Sequence, residues 1–275
     1  MVAVSPNLNK PLSKLSKRGP HRVLVGDLAY AGIEGKVYTP AEGDGLPAVA
    51  FGHDWLKSVK NYHATLRHLA SWGIVVGAPD TERGFSPDHA GFAADLDSTL
   101  QILAGVKLGH GNATVNPGRL GVVGHGMGGG AAVLTAANND RVKAVAALFP
   151  AVVTPSAYDA APAVDAPGLI IGSQKGELFG AGNPAKLAHH FGSDVVFREV
   201  DGMNQQGFTE DTLVKLTVGI GLPQTAGQER VRGLLTGFLL HQLAQDNSYA
   251  NFSDPDASAK KVVSYTRDEL AERIA

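Results

Sequence analysis

Two short segments of the chain hold side chains of the types that do chemistry at a protein site. The first is Gly52-His53-Asp54-Trp55, and the second is Gly124-His125-Gly126-Met127-Gly128. Two imidazoles and a carboxylate are metal-ligand types, but no His-x-His or His-x-x-x-His spacing joins them, which favours hydrogen-bonding roles over a metal site. The chain has no cysteine, so covalent chemistry would need an oxygen or nitrogen nucleophile.

The second segment has the composition of a sharp turn between a strand and a helix. The apolar run 120–123 precedes it, and small residues dominate positions 128–137. Glycine at 124 and 128 lets the strand and the helix approach closely, and glycine at 126 tolerates a strained backbone. We therefore predict that Gly126 lies at the turn from a central strand into a helix, with a positive φ.

Short apolar runs alternate with longer helical patterns along the chain, which predicts an α/β fold with a mostly parallel sheet. In such a sheet both chemistry-bearing segments belong to the carboxyl edge. The predicted strands are 23–25, 33–38, 47–51, 74–78, 120–123, 142–149, 168–171 and 194–200. The predicted helices are 61–72, 91–103, 128–137, 184–191, 228–245 and a short C-terminal helix that begins at the capping-box pair Thr266 and Glu269.

Residues 124–128 resemble the nucleophile elbow of α/β-hydrolases, Gly-x-Ser-x-Gly, with glycine where the serine belongs. The segment AVAFGHDWLKSVKNYHATLRHLASWGIVVGAPDTER is similar to the third strand, oxyanion loop, first helix and fourth strand of the dienelactone-hydrolase, chlorophyllase and cutinase-like polyester-hydrolase branch. GFAADLDSTLQIL and RVRGLLTGFLLHQLAQDNSYANF resemble the helix before the elbow and the closing helix. The resemblance implies an α/β-hydrolase fold, with helices on both faces of the sheet.

The same resemblance implies a catalytic triad in the chain order nucleophile, acid, histidine. Gly126 stands at the nucleophile position, and Gln205 stands at the histidine position within VDGMNQQGFTE. At the acid position stands Lys175 or Gln174, with Glu177 as a displaced candidate acid. Glycine has no oxygen to attack a carbonyl, and a glutamine amide cannot accept and return a proton near neutral pH. Loss of one triad member typically lowers turnover by ~10⁴–10⁶.

The resemblance also implies which groups surround a substrate. The backbone N–H groups of Trp55 and Met127 would form the oxyanion hole. His53, Asp54 and His125 would lie at the pocket, with hydrogen-bonding roles for the two histidines. No cofactor and no metal ion is implied.

We interpret the chain as a serine-esterase relative that has lost its triad, a pseudoenzyme that binds a hydrophobic or ester-like ligand or a partner protein at the former active site. One alternative is an active carboxylic-ester hydrolase, either in an inactivated form or with an unrecognised set of catalytic groups. A replaced serine would account for Gly126, but not for Gln205 or Lys175. A second alternative is a structural interaction protein with a filled pocket.

The charge balance and the lengths of the apolar runs limit the partners and the compartment that we expect. Lys and Arg total 24 against 26 for Asp and Glu, a net charge of -2, which disfavours nucleic acid as a partner. No apolar run is long enough for an integral membrane segment, and no apolar run follows the first basic residues, so we expect a cytoplasmic protein. We expect a basic, flexible arm over 1–20, an α/β-hydrolase domain over 21–250, and a loosely attached linker and short helix over 251–275.

Overall fold

The computed structural model describes residues 6–173, 182–211 and 224–274. Its strands are β1 (Val23–Asp27), β2 (Gly35–Pro40), β3 (Gly43–Gly52), β4 (Val75–Pro79), β5 (Ala113–His125), β6 (Val142–Leu148), β7 (Gly168–Gly172), β8 (Val195–Val200) and β9 (Val262–Tyr265). Its α-helices are α1 (Asn9–Leu15), α2 (His63–Ser71), α3 (His89–Gly105), α4 (Met127–Ala137), α5 (Ala157–Ala160), α6 (Pro184–His190), α7 (Gln205–Phe208), α8 (Thr225–Gln242) and α9 (Arg267–Ile274).

The strands form one sheet in the order β1-β2-β4-β3-β5-β6-β7-β8-β9. Strands β3 to β8 pair in parallel, whereas β2 is antiparallel to both β1 and β4, and β9 is antiparallel to β8. The predicted α/β class with a mostly parallel sheet is confirmed. β3 and β5 lie side by side near the middle, so the segments that follow them meet at the carboxyl edge.

Successive residues of β3 point into two different cores, because side chains alternate between the faces of a strand. Val49 and Phe51 join the core with α1, α2 and α8. Ala48 and Ala50 join the core with α3, α4, α6 and α9. Helices therefore cover both faces of the sheet, and the two layers hold the carboxyl edge of β3 and β5 in place.

Residues 6–20, the described part of the basic, flexible arm expected over 1–20, include a helix that packs against the core. Helix α1 and the residue before it bury Leu8, Leu12 and Leu15 against the core that contains α8. Apolar residues at this spacing lie on one face of a helix. Pro11 does not break α1, because it lies in the first turn, where its missing N–H has no helical acceptor.

Residues 251–274 are packed against the rest of the fold, which differs from the loose attachment expected for 251–275. Strand β9 extends the sheet beyond β8, and Leu270 of α9 is buried in the second core. The predicted capping box is confirmed, since the Thr266 N–H donates to Glu269 Oε2 at 2.7 Å. A four-residue strand is too short for its pattern to stand out in the sequence.

Candidate functional site

Gly126 lies at the turn between β5 and α4, with φ 53° and ψ −118°. This confirms the predicted position and the positive φ, a conformation that side-chain-bearing residues adopt only under strain. The glycines beside it are required by close approach. A Cβ at Gly124 would overlap the backbone of Gly128, and a Cβ at Gly128 would overlap the backbone of Gly52. The turn thus brings β3, β5 and α4 into direct backbone contact.

The space above Gly126 is occupied by the carboxylate of Asp54. Asp54 Oδ1 accepts hydrogen bonds from the backbone N–H of Trp55 at 2.8 Å and from that of Met127 at 2.9 Å. A Cβ at position 126 would overlap this carboxylate. Two backbone N–H groups, one from the loop after β3 and one from the first residue of α4, therefore converge on one oxygen, and that oxygen belongs to the protein itself.

Gln205 reaches the same carboxylate from the other side. Its Nε2 donates to Asp54 Oδ2 at 2.9 Å. Gln205 is the first residue of α7, and the Asn204 side chain caps that helix by accepting the Gly207 N–H at 2.8 Å. Gln205 thus lies on the same edge as Gly126, with the Asp54 side chain between them.

His125 is buried under this carboxylate, and its two ring nitrogens have different partners. Nε2 lies 3.0 Å from the carbonyl oxygen of Gln205, so it must carry the proton and donate. Nδ1 lies 2.8 Å from the Tyr62 hydroxyl, which also accepts the Asp54 N–H at 3.0 Å. Burial raises the pKa of Tyr62 well above its ordinary 10.0, and the Asp54 carboxylate raises it further, so Tyr62 keeps its proton.

Replacing Tyr62 with phenylalanine is expected to lower the free energy of unfolding by about 1–3 kcal/mol, because Nδ1 of His125 and the N–H of Asp54 would both lose a buried partner. Urea unfolding measures the change. Tyr30→Phe is the matched control, since Tyr30 is 97% exposed. Equal stabilities of the two variants would contradict the assigned hydrogen bonds.

His53 also lies beneath the cleft rather than in its wall. It is fully buried, with Nδ1 2.9 Å from the carbonyl oxygen of Asp54 and Nε2 2.7 Å from that of Thr81. These contacts connect the loop after β3 to the segment after β4. Within residues 6–173, 182–211 and 224–274, no group of three or more His, Cys, Asp or Glu side chains could hold a metal ion.

A cleft of about 510 Å³ opens above Asp54, Met127 and Gln205. The rings of Trp55 and Phe85 form two of its walls, with their planes at 78° and their centroids 6.1 Å apart. The Trp55 indole N–H donates to the Phe85 carbonyl oxygen at 3.2 Å, which joins the two loops. The cleft therefore has a polar floor and aromatic walls.

Sequence reasoning missed two apolar residues at this cleft. Phe85 is 81% exposed and Val152 is 57% exposed, and they follow β4 and β6 respectively. An apolar residue in a loop that follows a predicted parallel strand was the available sequence signal, because ligands of α/β folds bind at the carboxyl edge. Phe85 and Val152 both lie in such loops.

The segment that follows Gln205 is attached to the loop and helix beside the cleft. Lys57 pairs with Asp211 at 2.7 Å. Glu210 accepts the N–H groups at the start of α2 and pairs with Arg232 at 3.0 Å. Burial lowers the pKa of Arg232, and the Glu210 carboxylate partly offsets this. Gln205 is thus held in place by contacts on its C-terminal side.

The residues predicted at the acid position, Lys175 or Gln174, and the displaced candidate acid Glu177 lie outside the described residues. Gly126 and Gln205, which the resemblance predicts at the nucleophile and histidine positions, both lie among the described residues.

The strand order, the antiparallel β2 and the sharp turn after β5 define an α/β-hydrolase fold. The chain belongs to the PET hydrolase-like family, whose model matches residues 11–186. This match includes Asp54 and Gly126 and ends before Gln205. A comparison with curated proteins found no match. Among the described residues, no helix has the length and apolar character needed to cross a membrane.

Proposed function

We propose that this chain is a non-hydrolytic member of its family that binds a small, largely apolar ligand in the cleft above Asp54. One observation carries the proposal. The Asp54 carboxylate accepts both N–H groups that would otherwise stabilise an oxyanion, and it fills the space that a side chain at Gly126 would need.

The described lining of the cleft offers no competent nucleophile. It contains no Ser, Thr, Cys or Tyr. Lys57 is the candidate amine, but its nitrogen is held in an ion pair with Asp211 at 2.7 Å. His89 lines the cleft, and its Nδ1 accepts the Thr154 N–H at 3.0 Å, but a base without a nucleophile beside it cannot form an acyl-enzyme.

The N–H groups that would stabilise negative charge on an ester carbonyl oxygen are also already occupied. Trp55 and Met127 already donate to a carboxylate oxygen, and a charged acceptor binds N–H groups more strongly than an ester oxygen does. Loss of a single oxyanion donor typically lowers turnover by ~10²–10³. A bound ester would therefore remain intact.

A concave site of about 510 Å³ is of the size that small molecules occupy, which favours a small ligand over a protein partner. Burial of the ligand against Trp55, Phe85 and Val152 would supply the hydrophobic contribution to binding. A second candidate, a hydrolase with Asp54 as its base, is favoured by one observation only, the presence of this carboxylate on the floor of the cleft.

We expect the unmodified protein to show no turnover of p-nitrophenyl butyrate and no labelling by a fluorophosphonate, because it has no serine at position 126. The neutral dye Nile red should bind saturably, and Phe85→Ala should weaken its binding. Tyr30→Ala, which removes an exposed aromatic ring elsewhere, is the control. Ester turnover that disappears in Asp54→Asn would overturn the proposal in favour of Asp54 as a base.

A further inference from the structure

The floor of the cleft presents a hydrogen-bond acceptor rather than a donor. A carboxylate has about four acceptor positions, and Asp54 uses three of them for Trp55, Met127 and Gln205. The remaining position is on Oδ2, and the side chain is 12% exposed at the cleft. The N–H groups that would recognise a carbonyl or carboxylate ligand are meanwhile satisfied within the protein.

Among the described residues, no Lys or Arg pairs with the Asp54 carboxylate, and the titratable group within 4.0 Å of it is His125. Lys57 also lines the cleft, but it pairs with Asp211. The floor of the cleft therefore presents a carboxylate, which attracts a cation and repels an anion.

The walls of the cleft complement an organic cation as well. Trp55 is 47% exposed, and its ring stands nearly perpendicular to that of Phe85, so the two rings form a corner above the floor. Aromatic faces attract ammonium groups, and quaternary ammonium ligands are a well-known case of this recognition. Leu56 and Val152 extend the apolar surface outward.

We infer that the ligand of this cleft is an organic cation, whose ammonium group docks against Asp54 Oδ2 between the rings of Trp55 and Phe85. An apolar tail would follow Leu56 and Val152 toward the mouth. This inference rests on the proposed function and specifies its ligand, in place of the ester that the fold suggests.

Protein-observed NMR titrations with choline and with its neutral isostere 3,3-dimethylbutan-1-ol test the inference. Choline should bind at least about tenfold more tightly than the alcohol, and butyrate should not bind. Asp54→Asn should weaken choline binding at least about tenfold, because it removes the negative charge from the floor. Asp256→Asn, which removes one exposed charge elsewhere, should change neither affinity.

Equal affinities for choline and the alcohol would overturn the inference, as would choline binding that survives Asp54→Asn. The Nile red and ester assays keep this failure distinct from failure of the proposed function. If Nile red binds and choline does not, the proposed non-hydrolytic function stands and only the inference of a cationic ligand fails. Ester turnover by the unmodified protein removes the proposed function itself.

Discussion

Gly126→Ala is expected to be among the most destabilising single substitutions in this protein. The new methyl group would overlap the Asp54 carboxylate and displace it from the N–H groups of Trp55 and Met127. Backbone strain at this turn contributes about 1–3 kcal/mol, and the loss of hydrogen bonds to a charged group contributes about 1.5–3 kcal/mol more. Urea unfolding of the variant measures the total.

Gly202→Ala is the matched control, since Gly202 also has a positive φ, 73°, but no atom lies within 4 Å of its added Cβ. Gly202→Ala should lower the free energy of unfolding by the backbone strain alone, because its new methyl group overlaps no other atom. The same Gly126→Ala change in an Asp54→Ala background should cost only the strain, because the carboxylate is gone. Equal costs of Gly126→Ala with and without Asp54 would contradict the placement of that side chain.

Restoring ester hydrolysis is expected to require three substitutions rather than one. Gly126→Ser alone should remain inactive, because the new hydroxyl has no base and its side chain competes with Asp54 for space. Gln205→His supplies a base from the same edge. Asp54→Ala then frees the N–H groups of Trp55 and Met127 for the developing oxyanion.

We expect the triple variant to hydrolyse p-nitrophenyl butyrate at least ~10²-fold faster than the double variant that retains Asp54, since two oxyanion donors are regained. The control is the same variant with Gly126→Ala in place of Gly126→Ser, which has the altered cleft but no nucleophile. Strong activity from Gly126→Ser alone would show that a base other than residue 205 exists and that the N–H pair is already free.

The turn at Gly126 was predictable because its requirements are local. Small residues at 124 and 128 and the apolar run before them encode a close strand–helix approach, and the structure has it. The alternation of strands and helices likewise predicted the parallel sheet. Both features depend on residues that are neighbours in the sequence, so they can be predicted from the sequence alone.

The role of Asp54 was not predictable in this way. Its carboxylate bonds to its neighbour Trp55, to Met127 at the start of α4, and to Gln205 from a third segment. The sequence places an acid beside the expected oxyanion loop, but the direction of its side chain follows from the tertiary arrangement of all three. Helix α1 was not predicted for a similar reason. Its leucines are stabilised by contact with α8, which is distant in the sequence.

The position of the Asp54 side chain in a crystal structure of the unmodified protein tests the central claim most directly. We expect one carboxylate oxygen within about 3.2 Å of the amide nitrogens of both Trp55 and Met127, directly above Gly126. A carboxylate turned toward solvent, with a water molecule on an open N–H pair, would contradict it and restore the cleft as a vacant oxyanion site.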